Sequence, residues 1–354
     1  VTREVTVAVD AGGADLGPAE VAAGAAIAVG EGVRVRIFGD AAAIGDVPAG
    51  VELIDAPVSI AKAADPVRAV RDAPESSIVQ AARAVASGEA DALVSGGSTG
   101  AALAAGLFEI KRARGIYRPA LAIPVPVPGN PVTLIDVGAN AESRPEHLVQ
   151  FAFMGAALAR VVLGIERPRV ALLSNGEEPS KGTAAVVAAH AALSERAAAA
   201  PHALTFTGNV EGTTLMSGVA DVVVTDGFTG NVVLKTMEGV SQVLLGAVRD
   251  AATSSARGKA GGLLLRPALG GLRDELDPEA HGGAYLLGLR RLGLVPHGRF
   301  TRRGFAQAIL FAARGVEGDL VGRTQAALDE AGALRRGGRD GVTASGGGSS
   351  LSRP

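Results

Sequence analysis

The residues best suited to chemistry stand in six short Gly-rich segments. In chain order they are Asp10-Ala-Gly-Gly-Ala-Asp15-Leu-Gly-Pro18, Ser95-Gly-Gly-Ser98-Thr99-Gly100, Asp136-Val-Gly138-Ala-Asn140, Ser174-Asn175-Gly176-Glu177-Glu178-Pro-Ser-Lys181-Gly182, Gly208-Asn209-Val-Glu211-Gly212 and Asp226-Gly227-Phe-Thr229-Gly230-Asn231. Each follows an apolar run, and most lead into helical sequence. Backbone N–H groups at such helix starts, joined by Ser, Thr, Asn and Lys side chains, make anion sites. Any one of these turns is also what a tight strand-to-helix connection needs on its own account. Six in succession predict a site assembled along one edge of a sheet.

Other chemistries are excluded or weakened. The chain has no cysteine, which removes thiol nucleophiles, disulfides, iron–sulfur clusters and Cys-ligated zinc. It has no G-x-G-x-x-G after a strand and no G-x-x-x-x-G-K-[ST], so neither dinucleotide nor P-loop binding is supported. The five histidines, 147, 190, 202, 281 and 297, lack metal-ligand spacing, and neither metal nor cofactor is expected. His297 stands out, because Leu292–Val295 reads as a strand and Pro296-His297-Gly298 puts the ring at its end. One competing pattern is Gly96–Gly100, which satisfies G-x-S-x-G between a strand and a helix. With Asp226 and His297 following in hydrolase order, it describes an acyl-serine esterase or thioesterase built on Ser98, Asp226 and His297. No HGGG-type oxyanion segment accompanies it, and five-residue patterns are weak in a chain with 49 Gly.

The elements that must position these residues follow from periodicity. Residues 5–9, 33–38, 90–94, 120–125, 132–137, 170–174 and 220–225 are apolar nearly throughout, as strands covered on both faces are. Helical sequence occupies 76–87, 101–113, 146–164, 183–197 and 232–250. This alternation predicts an α/β fold: a three-layer α/β/α sandwich with a Rossmann-like, mostly parallel sheet. Of the 354 residues, 47% are hydrophobic and only 3% aromatic, so the core is expected to be aliphatic. The 34 basic and 36 acidic residues leave a net charge of −2, which argues against bulk binding of nucleic acid. No signal peptide opens the chain and no apolar run of spanning length is found, so a cytoplasmic protein is expected.

Two regions break the alternation. Residues 256–273 carry Arg257, Lys259, Arg266 and Arg273 and no acid, with Leu263, Leu264, Leu265 and Leu269 among them. Such a segment suits an anionic lipid interface, although Pro267 and several glycines weaken a continuous helix. A helical arm buried in a dimer is the alternative. From 333 onward the chain is a Gly/Ser/Arg tail too poor in apolar residues to order itself. The expected organisation is one catalytic domain over 1–332, with a protruding helical arm at 240–280, and a disordered tail at 333–354.

Taken together the segments resemble the bacterial phosphate acyltransferase (PlsX) family, acyl-acyl-carrier-protein:phosphate transacylases, over about residues 4–330. The family's DAMGGD-x-x-P corresponds to Asp10–Pro18, its VSAGNTGA to Val94–Ala101, and its DVGAN is intact at Asp136–Asn140. NGEE-x-x-KG stands at Asn175–Gly182, GN-x-EG at Gly208–Gly212, and DGFTGNVVLK-x-x-EG runs unbroken from Asp226 to Gly239. Glu146–Gly155 is similar to the family's long helix, and Gly282–Gly288 with His297-Gly298 closes the match. Departures are Gly12 for Met, Ala14 for Gly, Ser98 for Asn, Glu142 for Asp and Arg299 for a small residue.

The resemblance implies transfer of a long-chain acyl group from acyl carrier protein to inorganic phosphate, giving acyl phosphate for phosphatidic acid synthesis. It implies a homodimer, peripheral membrane contact, and a membrane glycerol-3-phosphate acyltransferase that takes the product. Lys181, Asn231 and His297 are the catalytic candidates: cation, oxyanion donor and proton donor. Substrate-binding candidates come from every turn: Asp10, Ser98, Thr99 and Gly100; Asp136 and Asn140; Asn175, Glu178, Asn209 and Glu211. The last turn adds Asp226, Gly227, Thr229, Gly230 and Lys235. Lys235 has an alternative place in an ion pair on a helix flank. A scaffold that binds acyl carriers without turnover is the non-catalytic alternative.

Overall fold

Short β-branched runs become strands and the Ala-rich stretches between them become helices, in a computed structural model that describes residues 4–127, 131–275 and 277–335. The strands are β1 (Thr6–Asp10), β2 (Arg34–Gly39), β3 (Val51–Asp55), β4 (Ala92–Ser95), β5 (Ala120–Val125), β6 (Val132–Ile135), β7 (Arg169–Leu173), β8 (Thr205–Val210), β9 (Val222–Val224), β10 (Ala284–Leu287) and β11 (Leu292–Val295). The helices are α1 (Pro18–Gly30), α2 (Ala41–Ile44), α3 (Pro66–Asp72), α4 (Ser77–Ser87), α5 (Thr99–Ala105), α6 (Pro145–Val162), α7 (Ala184–Ala199), α8 (Gly227–Thr253), α9 (Ala256–Glu275), α10 (Arg302–Glu317) and α11 (Leu320–Glu330).

All the strands join one sheet in the order β3-β2-β1-β4-β11-β10-β5-β6-β9-β7-β8. Helices cover both faces, and two hydrophobic cores form, one on each side; both are mainly aliphatic, and the first also takes in Phe151, Phe153, Tyr285 and Phe305. The middle of the sheet departs from a parallel arrangement. β11 with β10, β10 with β5, and β5 with β6 are all antiparallel pairs. Three reversals leave β6, β9, β7 and β8 running opposite to β1, β4 and β11. The carboxyl ends of the two halves therefore lie at opposite edges of the sheet. The expected convergence of all six turns on one edge does not occur, because strand direction is fixed by pairing between residues far apart in sequence.

Local differences have local causes. Gly208 and Asn209 lie within β8 rather than in a turn after it, paired with Ala171 and Leu172. The helix expected over 101–113 ends at Ala105 and finishes in a π-helical turn, Gly106–Ile110. Gly106 backs onto Leu289, whose Cδ1 would lie 2.6 Å from any added Cβ. The arm is a helical pair, α8 and α9, with α9 continuous despite Pro267. Along α8 only Gly227 and Gly230 are buried, and Val240, Val243, Leu244, Leu245 and Val248 are exposed. Leu263, Leu264 and Leu265 of α9 are exposed as well. The side chain of Leu269 and the tail from 336 lie outside the described residues.

Candidate active site

The turns after β6, β7 and β9 lie at one sheet edge, beside the end of β8; the β6 and β9 turns interlock, and the β7 turn is tied to β8. Asp136 closes β6 with a fully buried carboxylate. Its Oδ1 accepts from the backbone N–H of Leu121 (3.2 Å), Gly138 (3.2 Å) and Ala139 (2.8 Å). Its Oδ2 accepts from Asn140 N (2.9 Å) and Nδ2 (2.8 Å). Burial pushes this carboxyl above the ordinary range, opposed chiefly by the Ala139 N–H and the Asn140 side chain. Asn140 also donates to Pro119 O (2.8 Å), and its own carbonyl receives Gly227 N (2.7 Å). A Cβ on Gly227 would sit 2.6 Å from that carbonyl, so only glycine lets the β6 turn touch the start of α8.

Asp226 caps α8, accepting from Thr229 N (2.9 Å) and Thr229 Oγ1 (2.8 Å). The next residues, Gly230 and Asn231, face Asp136 O and the Gly138 turn. The β7 turn folds tightly: Lys181 N donates to Glu178 O (3.0 Å), and Asn209 Nδ2 donates to the same oxygen (2.9 Å). Gly182 adopts φ +107°, and Thr183 caps α7 through Val186 N (3.3 Å). Two hidden polar atoms in this turn have no hydrogen-bond partner, Ser174 Oγ and Asn209 Oδ1. Ser174 belongs with the candidates although its type alone does not mark it. Its signal is its place as the first residue after β7, ahead of Asn175-Gly176. The edge thus combines the N-termini of α7 and α8, unpartnered donors and acceptors, and the exposed side chain of Lys181. Helix N-termini and a nearby cation are features that suit an anion.

The other candidates occupy the opposite edge. Asp10 is buried at the end of β1, receiving Ser77 Oγ (2.6 Å), Ser95 Oγ (2.7 Å) and Gly12 N (2.9 Å). Burial raises its pKa, against the pull of those three donors. Ser98 caps α5 by accepting from Ala101 N (3.2 Å), with Thr99 and Gly100 forming the first turn. His297 is exposed, and its Nδ1 accepts from Arg299 N (3.2 Å). The same loop meets the β1 turn where Asp15 N donates to Gly298 O (2.8 Å). His297 is therefore not assembled with Lys181 and Asn231 within the chain. Nor are Ser98 and His297 assembled with Asp226, which ends a strand five places from β4, about 24 Å across at about 4.8 Å per strand, and at the other edge. Ser98, His297 and Asp226 do not form a triad within the chain. Lys235 pairs with Glu238 (2.7 Å) on the exposed flank of α8. Among the described residues no cluster of His, Asp and Glu is arranged to hold a metal.

The pattern of the family described as "Fatty acid synthesis protein" matches residues 5–323. A phosphate acyltransferase from Geobacillus thermodenitrificans is 41% identical over 331 residues, covering 92% of this chain and 99% of that one. One from Latilactobacillus sakei is 44% identical over 305 residues, covering 84% and 89%. The chain belongs to the phosphate acyltransferase family. As an acyltransferase of that family it shares its fold with solved phosphotransacetylases. The Streptococcus pyogenes phosphotransacetylase superposes with a TM-score of 0.58 at 18% identity, covering 90% of this chain and 95% of that one. The EutD phosphotransacetylase of Staphylococcus aureus gives 0.58 at 16% identity, with 89% and 94% covered.

Proposed function

We propose that the chain transfers a long-chain fatty acyl group from acyl carrier protein to inorganic phosphate at the edge formed by the β6, β7 and β9 turns. The observation that carries this reading is that one sheet edge holds the N-termini of α7 and α8 together with the hidden, unpartnered Ser174 Oγ and Asn209 Oδ1. Lys181 and those first-turn N–H groups of α7 and α8 that no cap or neighbouring turn engages hold the phosphate dianion. Asn231 donates to the oxyanion that forms when phosphate attacks the thioester carbonyl. Asp136, Asn140, Asp226 and Thr229 fix the turns; their polar groups are already engaged with their own loops. The phosphate oxygen–carbon bond forms, the carbon–sulfur bond breaks, and the proton of hydrogen phosphate ends on the departing thiol. The reaction balances without an enzyme nucleophile, in keeping with a chain that has no cysteine to relay the acyl group.

The exposed leucines of α9 and apolar residues of α8 support contact with a second copy and with an anionic membrane. There the acyl phosphate passes to a membrane glycerol-3-phosphate acyltransferase. Among the described residues no helix is long and apolar enough to cross a membrane. Incubating palmitoyl-carrier protein with and without phosphate, and trapping with hydroxylamine, tests the reaction. Phosphate-dependent release of a trappable acyl group supports the transacylase. Release that is independent of phosphate returns the serine hydrolase, and no release leaves a binding scaffold.

A further inference from the structure

A net charge near zero conceals a strongly basic zone beside the candidate active site. The loop between the π-helical turn and β5 carries Lys111, Arg112, Arg114 and Arg118, all exposed. The β10–β11 hairpin brings Arg290 and Arg291 to the same place, where Arg290 N donates to Lys111 O (2.9 Å) and Arg112 bridges Leu289. Arg335, just past α11, is tied in through its N–H to Gly115 O (2.8 Å). Lys111, Arg112, Arg114 and Arg335 line one shallow cavity together with Leu107 and Ile116. Arg144 continues the zone at the start of α6, close enough that it and Arg118 both bear on His147.

This collar stands at the same sheet edge as Asp136 and Asp226. β5 begins there, and Pro119, one residue beyond Arg118, accepts from Asn140 Nδ2. None of its side chains forms an ion pair among the described residues, whereas Arg34, Arg36, Arg83, Arg169 and Arg302 elsewhere all do. Acids in its surroundings include Glu109, engaged by Arg83, Asp329 on the rim of an adjoining cavity, and Glu142 and Glu146 flanking Arg144 in sequence. Its backbone is held firmly: Gln150 Nε2 donates to Gly115 O (2.9 Å), and Gln325 Nε2 to Arg114 O (2.8 Å). A rigid surface of unpaired cations is suited to an acidic macromolecule. It carries none of the chain's exposed large hydrophobic residues, which a membrane-inserting surface needs.

We propose that the basic collar formed by Lys111, Arg112, Arg114, Arg291 and Arg335 is the docking surface for the acidic carrier protein that delivers the acyl thioester. This rests on the transacylase reading, because the collar flanks the edge where that thioester reacts. Docking there sets the carrier beside the turns that hold phosphate, so its acyl arm reaches the site without crossing the sheet.

The test is the triple variant Arg114→Glu, Arg291→Glu and Arg335→Glu in the full chain, with a matching Gln triple as the milder change. Acyl-carrier protein and acyl-pantetheine, an uncharged donor with no protein attached, are compared as substrates. KM for acyl-carrier protein should rise at least tenfold in the Glu triple and less in the Gln triple, with kcat on acyl-pantetheine within twofold of wild type. Wild-type kcat/KM for the carrier should fall as salt rises, and the variants should lose that dependence. An unchanged carrier KM, or equal losses on both donors, overturns the proposal. So does loss of binding to anionic phospholipid vesicles with carrier kinetics intact, which assigns the collar to the membrane. Failure of wild type on acyl-pantetheine and carrier alike refutes the transacylase reading instead.

Discussion

Replacing Asp136 by Asn is the sharpest probe of how the site edge is built. The carboxylate receives five N–H donors, three on Oδ1 and two on Oδ2. An amide supplies one acceptor oxygen and one NH2 group. Placing its oxygen where Oδ1 lies keeps three donors satisfied and turns the NH2 towards Asn140 N and Nδ2. An unsatisfied buried donor costs about 1–3 kcal/mol, and Asn140 Nδ2 retains Pro119 O, so the loss is about 2–4 kcal/mol. Relief from burying a charge reduces the figure towards its lower end. Urea denaturation of the Asn variant should show that drop with an unchanged m-value. The β6 turn also fixes the start of α8, and displacement of reacting groups by about 1 Å costs about 100-fold in rate. Phosphate-dependent acyl release should therefore fall by about two orders of magnitude even where the variant is folded. A stability loss below about 0.5 kcal/mol together with wild-type turnover refutes the claim that this carboxylate organises the turn.

Lys181→Ala should abolish phosphate-dependent acyl release while changing stability by less than about 0.5 kcal/mol, because the side chain is exposed and has no ion pair among the described residues; turnover near wild type removes it from the site. The raised pKa of Asp10 means the folded state binds its proton more tightly than the unfolded chain. Its contribution to stability therefore grows as pH falls from the raised value towards 3.8, and is lost as pH rises back. Denaturation of wild type and Asp10→Asn across that window should show wild type gaining on the variant as pH drops, and a parallel pair of curves contradicts this. Leu264, 83% exposed on α9, should be required for binding to anionic liposomes, so Leu264→Glu should lose co-sedimentation; full retention rules out its insertion.

What was legible in the sequence was the part governed by local pattern. Residues 120–125 and 292–295 form strands over the ranges their apolar runs predict, and Ser98, Thr183 and Asp226 cap helices as their types suggest. β8 escapes notice because it is an edge strand, with polar Thr205, Thr207 and Asn209 along it. β10 is four residues between glycines, recognisable as a strand only through its neighbours β5 and β11. Helix α10 repeats Phe305, Ala308, Ile309 and Ala312 at helical spacing, a signal present but outshone by the Gly-rich turns. The larger surprise concerns the site. Motif residues show which turns are chemically equipped, yet they carry no record of strand direction. Direction is decided by β10, β5 and β6, whose own sequences are plain apolar runs. It is this that separates His297, Ser98 and Asp10 from Lys181 and Asn231.

The order of the sheet also bears on how the chain is made. β4 and β5 are neighbours in sequence, joined through α5, but β11 and β10 stand between them in space. While synthesis has yet to reach residue 284, both strands present unpaired edges to solvent. Unpaired edges are templates for association between chains. The hairpin of β10 and β11 acts as a late keystone, binding an amino-terminal half to a central half that have already had time to collapse. Nascent or truncated chains ending before it should be the aggregating species, and chains that include it the soluble ones.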